Sequence, residues 1–319
     1  MTTRPTIALL IPAYNAARFL PRLLRSAAAQ NTPFDEIILH DDGSADETAD
    51  VALGFGAKVV KSAINIGCTA GKARLLSETT AEWVHFHDAD DELLKDFTSN
   101  ALDVITSPDP FDVLIVGTEE RADYDPSHLV VEIPDAALLA HSPLVFSIQY
   151  KVNAISGVYR REFLLKSRAL EVQNEERYNE DQAIQLNLVL AQARFRCVPR
   201  VLTRSYKQSA SMSQSNQRAC LSSHYRVMMR ALASLSQEEA AWDAKAAIAK
   251  RLWAIAAGAQ AMGEFKLAVE AARQAKKIST IPEAAGGRLF RTIAMVHPGF
   301  ALRLRERGIR IFKPHLRQA

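Results

Sequence analysis

The sequence predicts an α/β protein: an open, mostly parallel, doubly wound sheet over the first two thirds of the chain, followed by a helical appendage. Three observations carry that prediction. Apolar runs of strand length alternate with helix-period segments from residue 6 to about residue 116. Strand-like runs stop beyond about residue 216, where an Ala-rich helical pattern takes over. A chain of 319 residues at 48% hydrophobic composition is long enough for one large domain and a smaller one.

The elements follow in order. Thr6 to Pro12 is an apolar run too continuous for a half-exposed strand and suited to the middle of a parallel sheet. Tyr14-Asn15 turns the chain into a helix with Leu20, Leu23, Leu24, Ala27 and Ala28 on one face, where Pro21 is tolerated in the first turn. Glu36 to His40 is the second strand, and Ser44-Ala45-Asp46-Glu47 resembles a helix start. Lys58-Val59-Val60 is the third strand, followed by a loop with Gly67 and Gly71 and a helix through Ala73 to Ser77. Trp83 to His87 is the fourth and Phe111 to Val116 the fifth. Such a sheet binds ligands at the carboxyl ends of its strands. Further on, Trp253 to Ala261, a turn at Gly263-Glu264-Phe265 and Lys266 to Lys276 read as a helical hairpin.

The formal net charge of +3 is unevenly spread. Residues 287–319 carry eight Lys or Arg against Glu306, so the rest of the chain is net −4 and the basicity belongs to the tail. No nucleic-acid partner is expected. Met1 to Pro5 shows no signal-peptide pattern and no apolar stretch is long enough to cross a bilayer, so a cytoplasmic location is the expectation. Cys68, Cys197 and Cys220 have no ligand spacing and read as reduced thiols.

The strongest chemical signal is Asp88-Ala89-Asp90-Asp91, where the fourth strand runs out into a loop. Carboxylates spaced this way suit a divalent cation that also holds a diphosphate. A solvated acidic turn is the competing reading of the tetrapeptide alone, but it is one of an ordered series. With Ile11-Pro12-Ala13-Tyr14-Asn15, Asp41-Asp42-Gly43-Ser44, Asn65-Ile66-Gly67 with Ala73-Arg74, and Asn179-Glu180-Asp181, it resembles the family 2 inverting glycosyltransferases of GT-A fold. The resemblance covers roughly residues 5–215.

The resemblance implies a transfer of one sugar from a nucleoside-diphosphate sugar to a hydroxyl of a glycan or lipid-linked glycan, with Mg²⁺ or Mn²⁺ as cofactor. It places Pro12, Tyr14 and Asp42 around the nucleotide base, with a capping turn as the alternative for Asp42, and Arg74 on the nucleotide, with a solvated helix arginine as its alternative. Asp88 becomes a donor contact and Asp90 the direct metal ligand. Asp91 either supports that pair or caps a helix starting at Glu92. Asp181 becomes the general base and Glu180 its neighbour, against the plainer reading of an acidic first helix turn. Ser156 to Arg161 resembles the segment lining the acceptor side. His85 and His87, without a third ligand, read as packing residues rather than zinc ligands.

Two departures matter. Leu75 stands where many members have Asn, and Tyr206-Lys207-Gln208-Ser209-Ala210-Ser211-Met212-Ser213 lacks the family's histidine. Lys207 can instead place a positive charge on the diphosphate. A weakened nucleotide-sugar-binding member of the family is the alternative function, and a sugar nucleotidyltransferase, whose glycine-rich N-terminal loop is missing, a more distant one. The expected domains are 1–215 catalytic, 216–286 helical and 287–319 a basic tail. In that tail, apolar residues from Phe300 to Phe312 interleave with arginines, suiting an anionic membrane surface although they form no clean helical face; a solvated or self-packed basic terminus is the alternative.

Overall fold

Ile7, Ala8, Leu9, Leu10 and Ile11 are wholly inaccessible to solvent because β1 (Ile7–Ala13) lies between two parallel partners, β2 (Glu36–Asp41) and β4 (Trp83–Phe86). A strand buried on both faces and both edges reads as an unbroken apolar run. The computed structural model describes residues 4–150, 153–208, 216–235, 241–279 and 288–313. The chain divides into two compact units, one of Met1–Phe146, Tyr150–Val172 and Asn187–Ser211, the other of Ser147–Gln149, Gln173–Leu186 and Met212–Ala319.

In the first unit, β3 (Lys58–Lys61) adds to β2, also in parallel. Helices α1 (Leu20–Ala28), α2 (Thr48–Gly54), α3 (Cys68–Glu78) and α4 (Phe97–Ile105) belong to this half. Leu20, Leu23, Leu24 and Ala27 of α1 are buried as the periodicity predicts, with Pro21 in the first turn. Beyond β4 the sheet becomes mixed. Its order is β3-β2-β1-β4-β8-β6-β9-β5, with β7 pairing off this path to β6. Here β5 is Glu92–Leu93, β6 Val113–Ala122, β7 Asp125–Glu132, β8 Gly157–Arg160 and β9 Phe195–Lys207. The expected fifth strand is the start of β6. Antiparallel β8 separates it from β4, and β9 runs parallel to it.

The expected helix start at Glu92 is overturned. Glu92–Leu93 pairs with Thr203 and Arg204 of β9, and α4 begins at Phe97. Asp91 therefore caps no helix. Three short helices, α5 (Ala136–His141), α6 (Pro143–Gln149) and α7 (Arg161–Ser167), follow in the chain, and α8 (Glu180–Leu190) comes after a 3₁₀ turn at Asn174–Asn179.

The second unit holds α9 (Gln217–Ala233), α10 (Ala241–Ala261), α11 (Phe265–Ile278), α12 (Arg288–Val296) and α13 (Pro298–Phe312). The hairpin of α10 and α11 turns at Gly263, whose φ of +79° suits glycine. Ala268, Ala271, Ala272 and Ala275 line the fully buried face of α11. In α13, Ala301 and Leu302 are buried, whereas Phe300, Leu304 and Ile311 are exposed. The interleaved tail pattern is thus one helix with two apolar stripes. Among the described residues no helix is long and apolar enough to cross a membrane.

Candidate active site

The carboxyl ends of β1 and β2 are laced together by side chains from both loops. Asn15, at φ +50°, donates its backbone N–H to Ser44 Oγ at 2.9 Å, and its Oδ1 accepts from the Ala45 N–H at 2.8 Å. Ala16 N–H donates to Thr48 Oγ1 and Ala17 N–H to Asp46. Gly43 makes the turn at φ +75°, where a Cβ would come 3.0 Å from the Ile64 carbonyl carbon. Asp41 accepts from the Ser44 N–H at 3.0 Å. Asp42 is buried; its Oδ1 accepts from Ile66 N–H at 2.7 Å and its Oδ2 from Gly67 N–H at 2.8 Å.

One carboxylate therefore ties the Asp41-to-Ser44 turn to the start of α3. Gly71 completes that join, because a Cβ there would meet His40 Nδ1 at 2.8 Å. Pro12 pairs with His40 in the β1–β2 ladder, and Tyr14 next to it is 53% exposed, its ring available at the strand ends. Arg74 lies on α3, largely exposed, 3.4 Å from Glu78 one turn on.

The acidic loop follows β4, the other neighbour of β1. Its geometry is set by β9: Tyr206 N–H donates to Asp91 Oδ1 at 2.8 Å, and Gln208 Nε2 donates to Asp90 Oδ2 at 3.0 Å. Arg22 of α1 donates to the Asp90 carbonyl oxygen, lies over the Tyr206 ring and pairs with Asp123 at 3.3 Å. Tyr206 in turn donates its hydroxyl to Glu92, which Arg204 also holds at 2.8 Å.

Acidic charge in this loop is crowded and largely buried. Burial pushes the Asp90 carboxyl above the ordinary carboxylate range, with Asp123 adding to the shift and Arg22 opposing it. Burial, then the charges of Asp88 and Asp90, push Asp91 well above it. Crowded hard oxygen donors of this kind fit Mg²⁺ or Mn²⁺, which would neutralise such a cluster. Among the described residues no three acidic, histidine or cysteine side chains converge on a common point.

His85 and His87 are buried in the same strand and its exit. His85 Nδ1 pairs with the Gly157 carbonyl oxygen at 2.8 Å and its Nε2 with His87 Nδ1 at 2.9 Å. Burial lowers His85 to about 4 and His87 well below its usual value. The two imidazoles are neutral packing groups.

Glu180 and Asp181 are the first two residues of α8, half-buried, in the second unit. The 3₁₀ turn before them is anchored by Glu176, which is 1% exposed and accepts two hydrogen bonds from Arg230, at 2.8 and 3.0 Å. Ser223 Oγ donates to the Glu175 carbonyl oxygen, and Gln182 Nε2 to that of Ser147. Asn179 Nδ2 donates to Gln182 Oε1 at 2.8 Å, closing the helix start.

Within the first unit, then, Pro12, Tyr14 and Asp42 gather at the ends of β1 and β2, and Asp88, Asp90 and Asp91 at the end of β4. Lys207 closes β9 beside Ala122; its neighbour Gln208 makes the contact to Asp90. Ser209 to Ser213 lie outside the described residues. Sequence reasoning missed Arg22 and Gln208. Arg22 carried a faint signal as a cation in the first turn of α1, while Gln208 was marked only by its place in the Tyr206-to-Ser213 segment.

Residues 8–157 match the family model described as Glycosyl transferase family 2. An uncharacterized glycosyltransferase of Rickettsia typhi is 27% identical over 135 residues, covering 42% of this chain and 42% of that protein. The chain spans less than half the length of such curated relatives. Among solved structures, S. aureus TarS 1–349 in complex with UDP-GlcNAc aligns with a TM-score of 0.70 at 18% identity, over 96% of this chain and 92% of that one. Mannosyltransferase PcManGT from Pyrobaculum calidifontis, in complex with GDP-Man and Mn²⁺, aligns with a TM-score of 0.60 at 16% identity, over 99% and 83%. At these identities the likeness is one of fold.

Proposed function

The chain belongs to glycosyl transferase family 2 through residues 8–157, and on that premise we propose that it moves a sugar from a nucleoside-diphosphate sugar to a glycan or lipid-linked glycan hydroxyl, with inversion. The observation that carries this reading is the crowded, largely buried acidic loop at the end of β4, beside the strand ends that hold Tyr14 and Asp42. The structural neighbours support it, since one holds UDP-GlcNAc and another GDP-Man with Mn²⁺.

Each residue has a role in that scheme. The exposed Tyr14 ring lies against the base, and Asp42, whose two hydrogen bonds leave lone pairs on both oxygens, accepts a base N–H. Pro12 shapes the loop, while Arg74 and Lys207 supply cationic contacts to the nucleotide and diphosphate. Asp90, with Asp88 beside it, holds the divalent cation, and Asp91 keeps the loop fixed to Tyr206. When bound, Mg²⁺ or Mn²⁺ offsets the charge of the departing nucleoside diphosphate. Asp181 takes the acceptor proton as its oxygen attacks the anomeric carbon, and Glu180 adjoins it. The basic C-terminal helix brings the enzyme to an anionic membrane surface, where a lipid-linked acceptor resides.

A screen of nucleoside-diphosphate sugars, read by thermal stabilisation and by nucleoside-diphosphate release with Mn²⁺ or chelator, tests the reading. Stabilisation and metal-dependent release by one donor class are expected; no response to any donor overturns it.

A further inference from the structure

We propose that the cleft between the end of α11 and the start of α13 is a phosphate-headgroup site for anionic phospholipid at a bilayer surface. The proposal deepens the membrane part of the reading above and is independent of the transfer chemistry. The cleft has a volume of about 620 Å³, and its lining includes Arg273, Lys276, Lys277 and Arg303 with no Asp or Glu among the described residues. Arg273, Lys276 and Lys277 stand at i, i+3 and i+4 on the last turns of α11, so the three cations share one face and repel one another. Lys276 Nζ donates to the Val296 carbonyl oxygen at 3.3 Å, which places it at the end of α12. Arg273, Lys277 and Arg303 have no carboxylate partner among the described residues.

Complementing the α11 dipole explains Lys276 and Lys277 alone. It does not explain Arg303, which arrives from a different helix, nor the apolar surface beside the cations. Val296 and Phe300, both lining the cleft, are 66% and 60% exposed. Along α13, Phe300, Leu304 and Ile311 fall within about 40° of one another on the helix, from a step of about 100° per residue. Arg303 and Arg307, also exposed, border that stripe on one side. Gly299 closes the packing behind it, since a Cβ there would meet Val269 Cγ2 at 3.0 Å.

A free phosphate would use the cations and leave the apolar stripe in water. A bilayer uses both: the cleft takes a lipid phosphate while Phe300, Leu304 and Ile311 rest in the headgroup–acyl boundary. The charge and the apolar exposure meet at the cleft, where Arg273, Lys276 and Lys277 of α11 and Arg303 of α13 share the lining with Val296 and Phe300, which is the arrangement an anionic interface selects.

The test is flotation of the full chain with phosphatidylcholine vesicles, with and without phosphatidylglycerol, while nucleoside-diphosphate release is followed in the same samples. Binding only to phosphatidylglycerol vesicles is expected. Replacing Arg273, Lys277 and Arg303 together by Gln lowers the partition constant on the order of a hundredfold, from about 1 kcal/mol per cation. The control Lys58→Gln, Lys61→Gln, Lys250→Gln, which removes the same charge elsewhere, floats like the parent. A Phe300→Ser, Leu304→Ser variant loses the binding that persists at high salt. Equal flotation of parent and cleft variant, equal loss in the control, or displacement by inorganic phosphate at constant ionic strength would each overturn the proposal. Donor turnover in solution persists in the cleft variant, so a failure of flotation is separable from a failure of sugar transfer.

Discussion

The guanidinium carbon of Arg22 lies 3.5 Å from the centroid of the Tyr206 ring. This contact joins the first helix to the last strand of the sheet, and it brings one fixed positive charge into a loop that holds Asp88, Asp90 and Asp91. The plane of the guanidinium lies over the ring while its edge donates to Asp90. Lysine cannot do both.

Arg22→Met is therefore expected to destabilise the protein by about 1–3 kcal/mol, since it removes the cation facing partly buried carboxylates together with a cation–π contact. Arg22→Lys should recover only part of the loss. Urea denaturation of the three proteins measures it, and equal stabilities would show that the stacking contributes nothing.

Asp91→Asn is expected to have the opposite effect on stability. A carboxyl whose folded-state value is raised loses stability as pH rises through that range, so at neutral pH an ionised Asp91 weighs against the fold. Asn keeps an oxygen for the Tyr206 N–H and carries no charge. Stability at neutral pH should rise by about 0.5–2 kcal/mol. The gain should shrink as pH falls and Asp91 itself becomes protonated. Asp90→Asn should be equally tolerated by the fold while abolishing Mn²⁺-dependent donor binding, which calorimetric titration reads directly.

The imidazole pair gives a pH dependence of its own. His85 is held at about 4 in the folded protein, below its unfolded value near 6.5. The unfolded chain takes up the proton first, so the stability is present above about pH 6.5 and is lost as pH falls toward 4. For His85 the loss is on the order of 3 kcal/mol, from 1.36 kcal/mol per unit. Between about pH 7 and about pH 5 roughly 2 kcal/mol of this should be lost, read as a lower denaturation midpoint, and His85→Gln should flatten the slope.

Arg230 and Glu176 offer a test of how the start of α8 is held. Arg230→Met leaves a carboxylate that is 1% exposed without its partner and should cost about 3–5 kcal/mol. The double variant with Glu176→Met should regain most of it. A double variant as unstable as the single would show that packing of the 3₁₀ turn, rather than the ion pair, carries the effect.

The parallel half of the sheet was legible in the sequence because β1 is continuously apolar and β2 and β4 each carry a short apolar run, Ile37 to Leu39 and Trp83-Val84 with Phe86. The mixed half was not. In β9, Arg196, Arg200 and Arg204 recur every fourth residue and Pro199 interrupts the apolar ones between them, so the run lacks the composition of a buried strand even though it pairs along β6 with register shifts at Val116 and Gly117. Glu92–Leu93 was misread for a related reason: two residues of strand beside a later helix are indistinguishable from that helix's first turn. In the candidate site, strand-end carboxylates announced themselves through spacing. Arg22 and Gln208 did not, since their contacts join segments far apart in the chain, and only the folded sheet brings α1 and the end of β9 to the Asp90 loop.

The most direct test of inverting sugar transfer is to compare donor binding and transfer in Asp181→Asn. The amide keeps the shape of the carboxylate and cannot take a proton. Unchanged donor affinity with transfer lowered by about two to four orders of magnitude is the expected result. Transfer at the parent rate would contradict it, showing that the acceptor proton leaves by a group other than Asp181.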